Sequence, residues 1–391
     1  MSRAYRVGII GFGHMHINSV AQVYAGHPQV TMAACADTVP AVPELRAAPY
    51  TREWNRRHNM EACGIPQYYD DYVAMLAQER LDIAIVTCEN AQHPAVAEAC
   101  AAAGVHVCVE KPMAASLSDA LRMVRACQAH GTRLIVNWPL TWMPNARKAK
   151  ELVEAGVIGR VLEVKWRSGH TGPLGAGAAH AGVDDVAAPM SGPERGATWW
   201  HQTAAGGGAM LDYCCYGAMV SRWYVGQPAV AAVGLRANLD SPWGDADDNG
   251  AMIVRFPEAM ALLEGSWTTW DHGVLTGPII YGTHGTLVVQ SIDDRPVVRL
   301  ERGHAPLAPG LGGEAARAAE GSTVIFESDP LPAGRANVAE EYIHHLETGE
   351  PLHPTLQALN NLEYMAILDA GVRSTASGKM EIVDNVAWRI G

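Results

Sequence analysis

Residues 5–24, YRVGIIGFGHMHINSVAQVY, put a short apolar strand directly before a glycine turn and a helix start. No other stretch restricts the fold as strongly. A buried strand that feeds a helix through such a turn begins a right-handed crossover to a parallel neighbour. Gly11 and Gly13 allow the tight turn and the close main-chain approach that a pyrophosphate needs at a helix N-terminus. His16 replaces the third glycine of the usual G-x-G-x-x-G, a position that serves helix–strand packing rather than phosphate contact. Phe12, His14 and Met15 share the turn and are expected at the same site. His14 and His16 have no third ligand near them in sequence, so no metal is expected.

The segments that follow repeat the pattern. QVTMAACAD is an apolar strand ending at Asp37, where an acid grips the adenosine ribose hydroxyls. An acid there repels a 2′-phosphate, so NAD is expected over NADP. LDIAIVTCENAQH and GVHVCVEKPMA are buried-strand patterns separated by a helical run from Pro94 to Ala103. TRLIVNW adds a strand after the amphipathic segment Ser118 to His130. Such alternation implies α/β architecture with a parallel, doubly wound sheet, here over residues 1–137. Cofactors in these sheets lie outside the carboxyl ends of the strands. Thr87, Glu89, Asn90, Glu110, Lys111 and Asn137 sit at such ends and, with His93, complete the expected cofactor site.

Lys111, in VEKP, follows a buried strand and precedes a proline, which holds it at the edge of the sheet. Beside a cationic nicotinamide and partly desolvated, its ammonium should lose a proton more easily and exchange protons with a substrate hydroxyl. The GFGHMH turn, GVHVCVEKPMAASLSDALRMV and the later GGGAMLDYCCYGAMVSRWYVG together resemble the Gfo/Idh/MocA family of nicotinamide-dependent oxidoreductases. The resemblance runs in order along nearly the whole chain. It implies a Rossmann domain joined to a C-terminal α/β domain with an open, mostly antiparallel sheet, over residues 138–391. It also implies oxidation or reduction of a secondary hydroxyl of a sugar, glycoside or inositol.

In LDYCCYGA, Asp212 and Tyr216 are four residues apart and share one face near a helix start, while Cys215 and Met219 point into the domain. Members of the family usually carry His where this chain has Tyr216. Glucose–fructose oxidoreductase and dimeric dihydrodiol dehydrogenase resemble it in carrying Tyr. Tyrosine is neutral near pH 7, so Lys111 is the first choice as base, with Tyr216 relaying a proton and Asp212 orienting the sugar. Two other readings stand beside this one: a glycosidase that retains NAD and oxidises its sugar transiently with the same residues, and a non-catalytic regulator that binds NAD or sugar and has no need of a Lys111–Asp212 proton relay.

Between Ser168 and Thr198 lies a Gly-, Ala- and Pro-rich stretch of the length typical of a functional lid or a disordered excursion. His170 and His180 on it are candidates to face substrate. Eleven tryptophans stand against three phenylalanines, and Trp138, Trp199 and Trp200, with His201, are expected at the cleft, where aromatic rings stack on sugars. Later segments such as NGAMIVRFPEAMALLEGSWTTW and GPIIYGTHGTLVVQ read as strands joined by short turns. Family members often associate through such a sheet, so a homodimer or homotetramer is expected.

Composition removes other classes. The net charge of −12, without a run of Lys or Arg, argues against nucleic acid and anionic membranes as partners. Eight cysteines without any C-x-x-C fit buried residues of a reducing compartment. With a strand beginning almost at the N-terminus, a cytoplasmic location is expected.

Overall fold

The computed structural model describes residues 3–270, 277–302 and 322–385. Its first unit alternates β1 (Tyr5–Ile10), α1 (Ile17–Ala25), β2 (Val30–Ala36), α2 (Arg52–Ala62), β3 (Tyr68–Tyr69) and α3 (Tyr72–Gln78). It continues with β4 (Ile83–Val86), α4 (His93–Ala102), β5 (His106–Glu110), α5 (Leu117–His130) and β6 (Leu134–Asn137). The six strands are parallel in the order β3-β2-β1-β4-β5-β6, with the switch point between β1 and β4. Strands buried on both faces explain the unbroken apolar runs, since helices cover each side. The expected α/β, Rossmann-type sheet is therefore present.

The second unit follows α6 (Pro144–Glu154), β7 (Val161–Gly169), α7 (Gly192–Gly196) and α8 (Cys215–Val225). Strands β8 (Ala231–Ala237), β9 (Asn249–Arg255), β10 (Met260–Ser266), β11 (Ile279–Gly282), β12 (Gly285–Ile292), β13 (Arg295–Arg302) and β14 (Ser322–Glu327) come next. The described chain ends with α9 (Val338–Thr348), α10 (Ala358–Ser377) and β15 (Glu381–Ile382). Nine strands join in the order β14-β13-β12-β11-β7-β10-β9-β8-β15. All pairs are antiparallel except β10 with β7. In β9, Met252 and Val254 are buried while Ala251 and Ile253 are exposed, the alternation of a sheet covered on one face only.

Two features follow from long-range packing. Helix α9 packs on the first sheet: Val338, Tyr342 and Ile343 join its core, with Tyr5, Ile9 and Ile135. The Tyr342 hydroxyl donates to the Val107 and Arg133 carbonyls. The Gly-rich excursion after β7 is docked across the first domain. Gln22 Nε2 donates to the Gly182 carbonyl at 2.5 Å, the Tyr50 hydroxyl donates to the Asp185 carbonyl, and Arg46 pairs with Glu194 at 3.3 Å. Met15, Tyr50, Leu174, Ala187, Trp199 and Trp200 close a small core beneath it.

Candidate active site

The glycine turn after β1 is built for main-chain approach. Gly11 has φ +90°, and a Cβ there would lie 2.4 Å from the Cys88 nitrogen, so no other residue fits. Thr87 braces the turn: its hydroxyl donates to the Gly11 carbonyl at 2.6 Å, and its carbonyl accepts from His14 N at 2.9 Å. The main-chain N–H groups of Gly13 and Met15 have no acceptor among the described residues. No side chain caps α1. Two free donors at an uncapped helix start are the electrostatic requirement for a pyrophosphate, and the residues present fit a dinucleotide.

Asp37 stands at the end of β2 as expected, but it is not alone. Its carboxylate accepts from Phe12 N and Thr38 N and pairs with Arg52, whose other nitrogen pairs with Glu89. Burial pushes the Asp37 carboxyl up to about 6 even with the guanidinium beside it. Arg52 stays charged, because Asp37 and Glu89 outweigh its desolvation. Nothing in the sequence singles Arg52 out from Arg56 and Arg57 on the same helix. Only the fold turns it inward.

Lys111 and Asp212 meet across the two domains. Lys111 Nζ lies 2.6 Å from Asp212 Oδ1, with both side chains nearly buried. Asp212 Oδ2 accepts from Trp267 Nε1 at 3.2 Å. Burial alone would strip the Lys111 proton, but the Asp212 carboxylate prevails and holds the ammonium well above its ordinary value. The same pairing, against burial, holds Asp212 below the usual carboxylate range. The easily deprotonated lysine expected from sequence is thus not what this arrangement produces. Asp212 lies in a π-turn, Met210–Cys214, before α8, and Tyr216 one turn on faces the same lysine. Widened turns of this kind recur at functional sites.

Tyr216 meets Lys111 with its ring, not its hydroxyl. Nζ lies 4.9 Å from the ring centroid, and the ring is stacked on Trp166 and edge-on to Trp138. Burial drives the phenol well above its ordinary value. No hydrogen bond joins its hydroxyl to Lys111 among the described residues, which weakens the expected proton relay. Cys214 and Cys215 are buried and free.

The other candidates divide by what they touch. His93 is spent on structure, its ring nitrogens 3.1 and 3.2 Å from the Met113 and Cys88 carbonyls. Asn90 ties the first domain to the glycine triplet by donating to Gly206 O at 2.8 Å. Trp138 is not a cleft wall: it is 2% exposed, donates to Asn361 Oδ1 and packs on Tyr216 and Tyr364. Trp199 donates to the Gly13 carbonyl at 2.8 Å and stacks on Trp200, whose ring meets His14 edge-on at 4.7 Å. The tandem tryptophans therefore sit against the cofactor turn. His201 is buried between Trp243 and Trp267, with both ring nitrogens unpartnered among the described residues, and burial lowers it to about 3. His170 packs edge-on against Tyr213, beside Asp212. His180 rests edge-on against Tyr50, and burial with the His16 and His170 charges lowers it to about 4. Sequence reading missed Trp267, although a buried Asp212 needs a second donor. Glu110 and Asn137 pair with each other, Asn137 Nδ2 donating to Oε1 at 2.7 Å, and Glu110 Oε2 lies 3.0 Å from His16 Nδ1.

With this geometry in view, comparison with known proteins is informative. Residues 5–138 match the model of an oxidoreductase family with an NAD-binding Rossmann fold, and residues 146–288 match the GFO/IDH/MocA C-terminal domain. The D-xylose 1-dehydrogenase (NADP(+)) 2 of Haloferax volcanii is 26% identical over 81% of this chain and 84% of its own. The myo-inositol 2-dehydrogenase of Thermotoga maritima is 28% identical, over 43% of this chain and 47% of its own. A levoglucosan dehydrogenase in complex with NADH and levoglucosan superposes with TM-score 0.72 at 18% identity, covering 98% of this chain and all of that one. The aldose-aldose oxidoreductase of Caulobacter crescentus gives 0.70 at 20% identity, over 97% of this chain and all of its own. At these identities the two structures speak to fold alone. No helix among the described residues is long and apolar enough to cross a membrane.

Proposed function

The chain belongs to the Gfo/Idh/MocA oxidoreductase family, and on that premise we propose an NAD-dependent dehydrogenase for a secondary hydroxyl of a sugar or polyol. The observation that carries this reading is the buried Lys111–Asp212 pair, donated by two domains to one point at the carboxyl edge of the parallel sheet. A regulator that only binds has no use for such a pair.

The free main-chain N–H groups of Gly13 and Met15 would hold the pyrophosphate, with Gly11 allowing its close approach, and Asp37 would hold the adenosine ribose. A bound nicotinamide supplies the hydride acceptor or donor. The side chains supply the proton path. The Lys111 ammonium gives its proton to the carbonyl oxygen in reduction; in oxidation Nζ takes the hydroxyl proton only after its own proton has passed to solvent. Asp212 sets the position and charge of that nitrogen, and Trp267 fixes Asp212. The Tyr216 ring covers the ammonium and excludes water. His170, packed on Tyr213 beside Asp212, and His180, packed on Tyr50, are the residues proposed to meet substrate hydroxyls.

The preference for NAD rests on Arg52. A guanidinium near the adenosine ribose accommodates a 2′-phosphate when it is free to do so. Here Asp37 and Glu89 both claim it, and Glu44 accepts from its main-chain nitrogen at 2.8 Å, so the local field is acidic. Association of copies through the open sheet is supported by Leu235, Ile253 and Met260, exposed on the face that no helix covers. Light scattering that gives a monomer mass would remove that part.

The deciding experiment follows reduced nicotinamide with purified protein, NAD or NADP, and a panel of pentoses, hexoses, inositols and glycosides. Formation of NADH with one substrate class, abolished by Lys111→Met, establishes the reading. Substrate cleavage without net NADH would replace it with the retained-cofactor glycosidase.

A further inference from the structure

His14 and His16 lack a third ligand in the neighbouring sequence, but the fold supplies one. Glu110, at the end of β5, brings Oε2 to 3.0 Å from His16 Nδ1, and a ring nitrogen of His14 completes a group whose ligand atoms all lie within 4.8 Å of one another. Two separate pieces of chain converge there: the glycine turn running into α1, and the edge of the parallel sheet. We infer that His14, His16 and Glu110 bind a first-row divalent transition-metal ion beside the cofactor turn.

Each member of the set has a reason to want the ion. His14 is 2% exposed, and its Nε2 has no hydrogen-bond partner among the described residues. An unpaired polar atom at that depth calls for a ligand. The Glu110 carboxylate is 1% exposed, and its remaining contacts are neutral donors, Asn137 Nδ2 at 2.7 Å and Lys111 N at 3.2 Å. The Lys111 ammonium is committed to Asp212. A buried carboxylate flanked by two imidazoles is a charge that a cation would balance.

The donor set and its surroundings match the chemistry. Two imidazoles and one carboxylate suit zinc or ferrous iron and leave a coordination position open to an oxygen ligand. Ligands on one ion, with bonds of about 2.0–2.2 Å, stand roughly 3 Å apart, the separation that His16 and Glu110 already have. Asn137 orients the other oxygen of Glu110 and in turn accepts from Trp142 Nε1 at 3.3 Å, the outer-shell support that metal carboxylates usually have. Coordination through His14 Nε2 moves the ring proton to Nδ1 and gives up the hydrogen bond from His16 N at 3.1 Å. One neutral contact is exchanged for a coordinate bond.

The test uses untagged full-length protein, stripped with a chelator and titrated with Zn²⁺ alone by calorimetry, then with Co²⁺ by visible absorption. The expected result is one ion per chain, with His16→Asn and Glu110→Gln each weakening binding by about 100-fold or more. His16 is partly exposed at a helix start, where asparagine is a favoured cap, so that variant should fold. Zn²⁺ should raise the melting temperature of the parent and not of His16→Asn. Absence of saturable binding up to millimolar Zn²⁺ would overturn the assignment. So would binding that all three of His14→Ala, His16→Asn and Glu110→Gln leave within about threefold of the parent, or a thiolate-to-cobalt charge-transfer band.

Discussion

Arg52 and Lys111 are both buried, and they are held in opposite ways. Arg52 is gripped by Asp37 and Glu89, all three from the first domain. Lys111 is gripped by one carboxylate, and that carboxylate comes from the second domain. Guanidinium is permanently charged and its fork fixes direction, so the Arg52 cluster serves as a rigid recognition element. Ammonium is a compact charge whose pKa follows its surroundings, so the Lys111 pair can move a proton and also responds to the distance between domains. One network selects and the other reacts.

The largest expected effect tests that division at its reactive end. Lys111→Met should lower kcat by about 10²–10⁴-fold, the usual contribution of a positioned acid–base group, while NAD affinity stays within a few-fold. Loss of cofactor binding with kcat intact would assign Lys111 to the selecting network instead.

Asp212→Asn should cost less in rate but move the pH profile. With the carboxylate gone, burial acts on Lys111 unopposed and its pKa falls. Oxidation needs neutral Nζ, so the rising limb of kcat against pH should shift to lower pH. A limb that stays in place would show that another group titrates there.

The selecting network should yield to Glu89→Gln. Arg52 loses one charge-assisted partner, worth about 1.5–3 kcal/mol, and becomes available to a 2′-phosphate. The ratio of kcat/KM for NADP over NAD should rise roughly 10–100-fold by that figure. An unchanged ratio would mean that Arg52 does not face the ribose.

Asp37 gives a smaller, pH-dependent effect. Its carboxyl, raised to about 6 by burial, must be ionised to accept both ribose hydroxyls. NAD affinity should therefore be full above pH 6 and weaken below it, by up to about tenfold per pH unit. Flat affinity from pH 5 to 8 would contradict this. The smallest effect belongs to Tyr216→Phe. If only the ring face serves Lys111, kcat should change by less than about threefold, since phenylalanine keeps the cation–π contact.

The individual residues show how far local reading reaches. Asp37 and Lys111 were legible because each ends a strand, and strand ends are the functional edge of a parallel sheet. Asp212 and Tyr216 were legible as neighbours on one turn, and they do meet Lys111 together. His93 occupied an equally suggestive position, yet two carbonyls absorb its ring nitrogens. Trp138 looked like a sugar platform and is interior packing. Arg52 and Trp267 carried no local mark at all, because each acquires its role from a partner on another element.

Sequence alone thus determined the parallel sheet, the glycine turn and the placement of candidate groups at strand ends, since periodicity and turn chemistry act over a few residues. Tertiary structure decided what those groups do. Lys111 and Asp212 are 101 residues apart, and Glu110 reaches His16 across 94. Charge state, hydrogen-bond partners and ligand sets depend on which side chains share a small, dry volume, and only the closed chain brings them there.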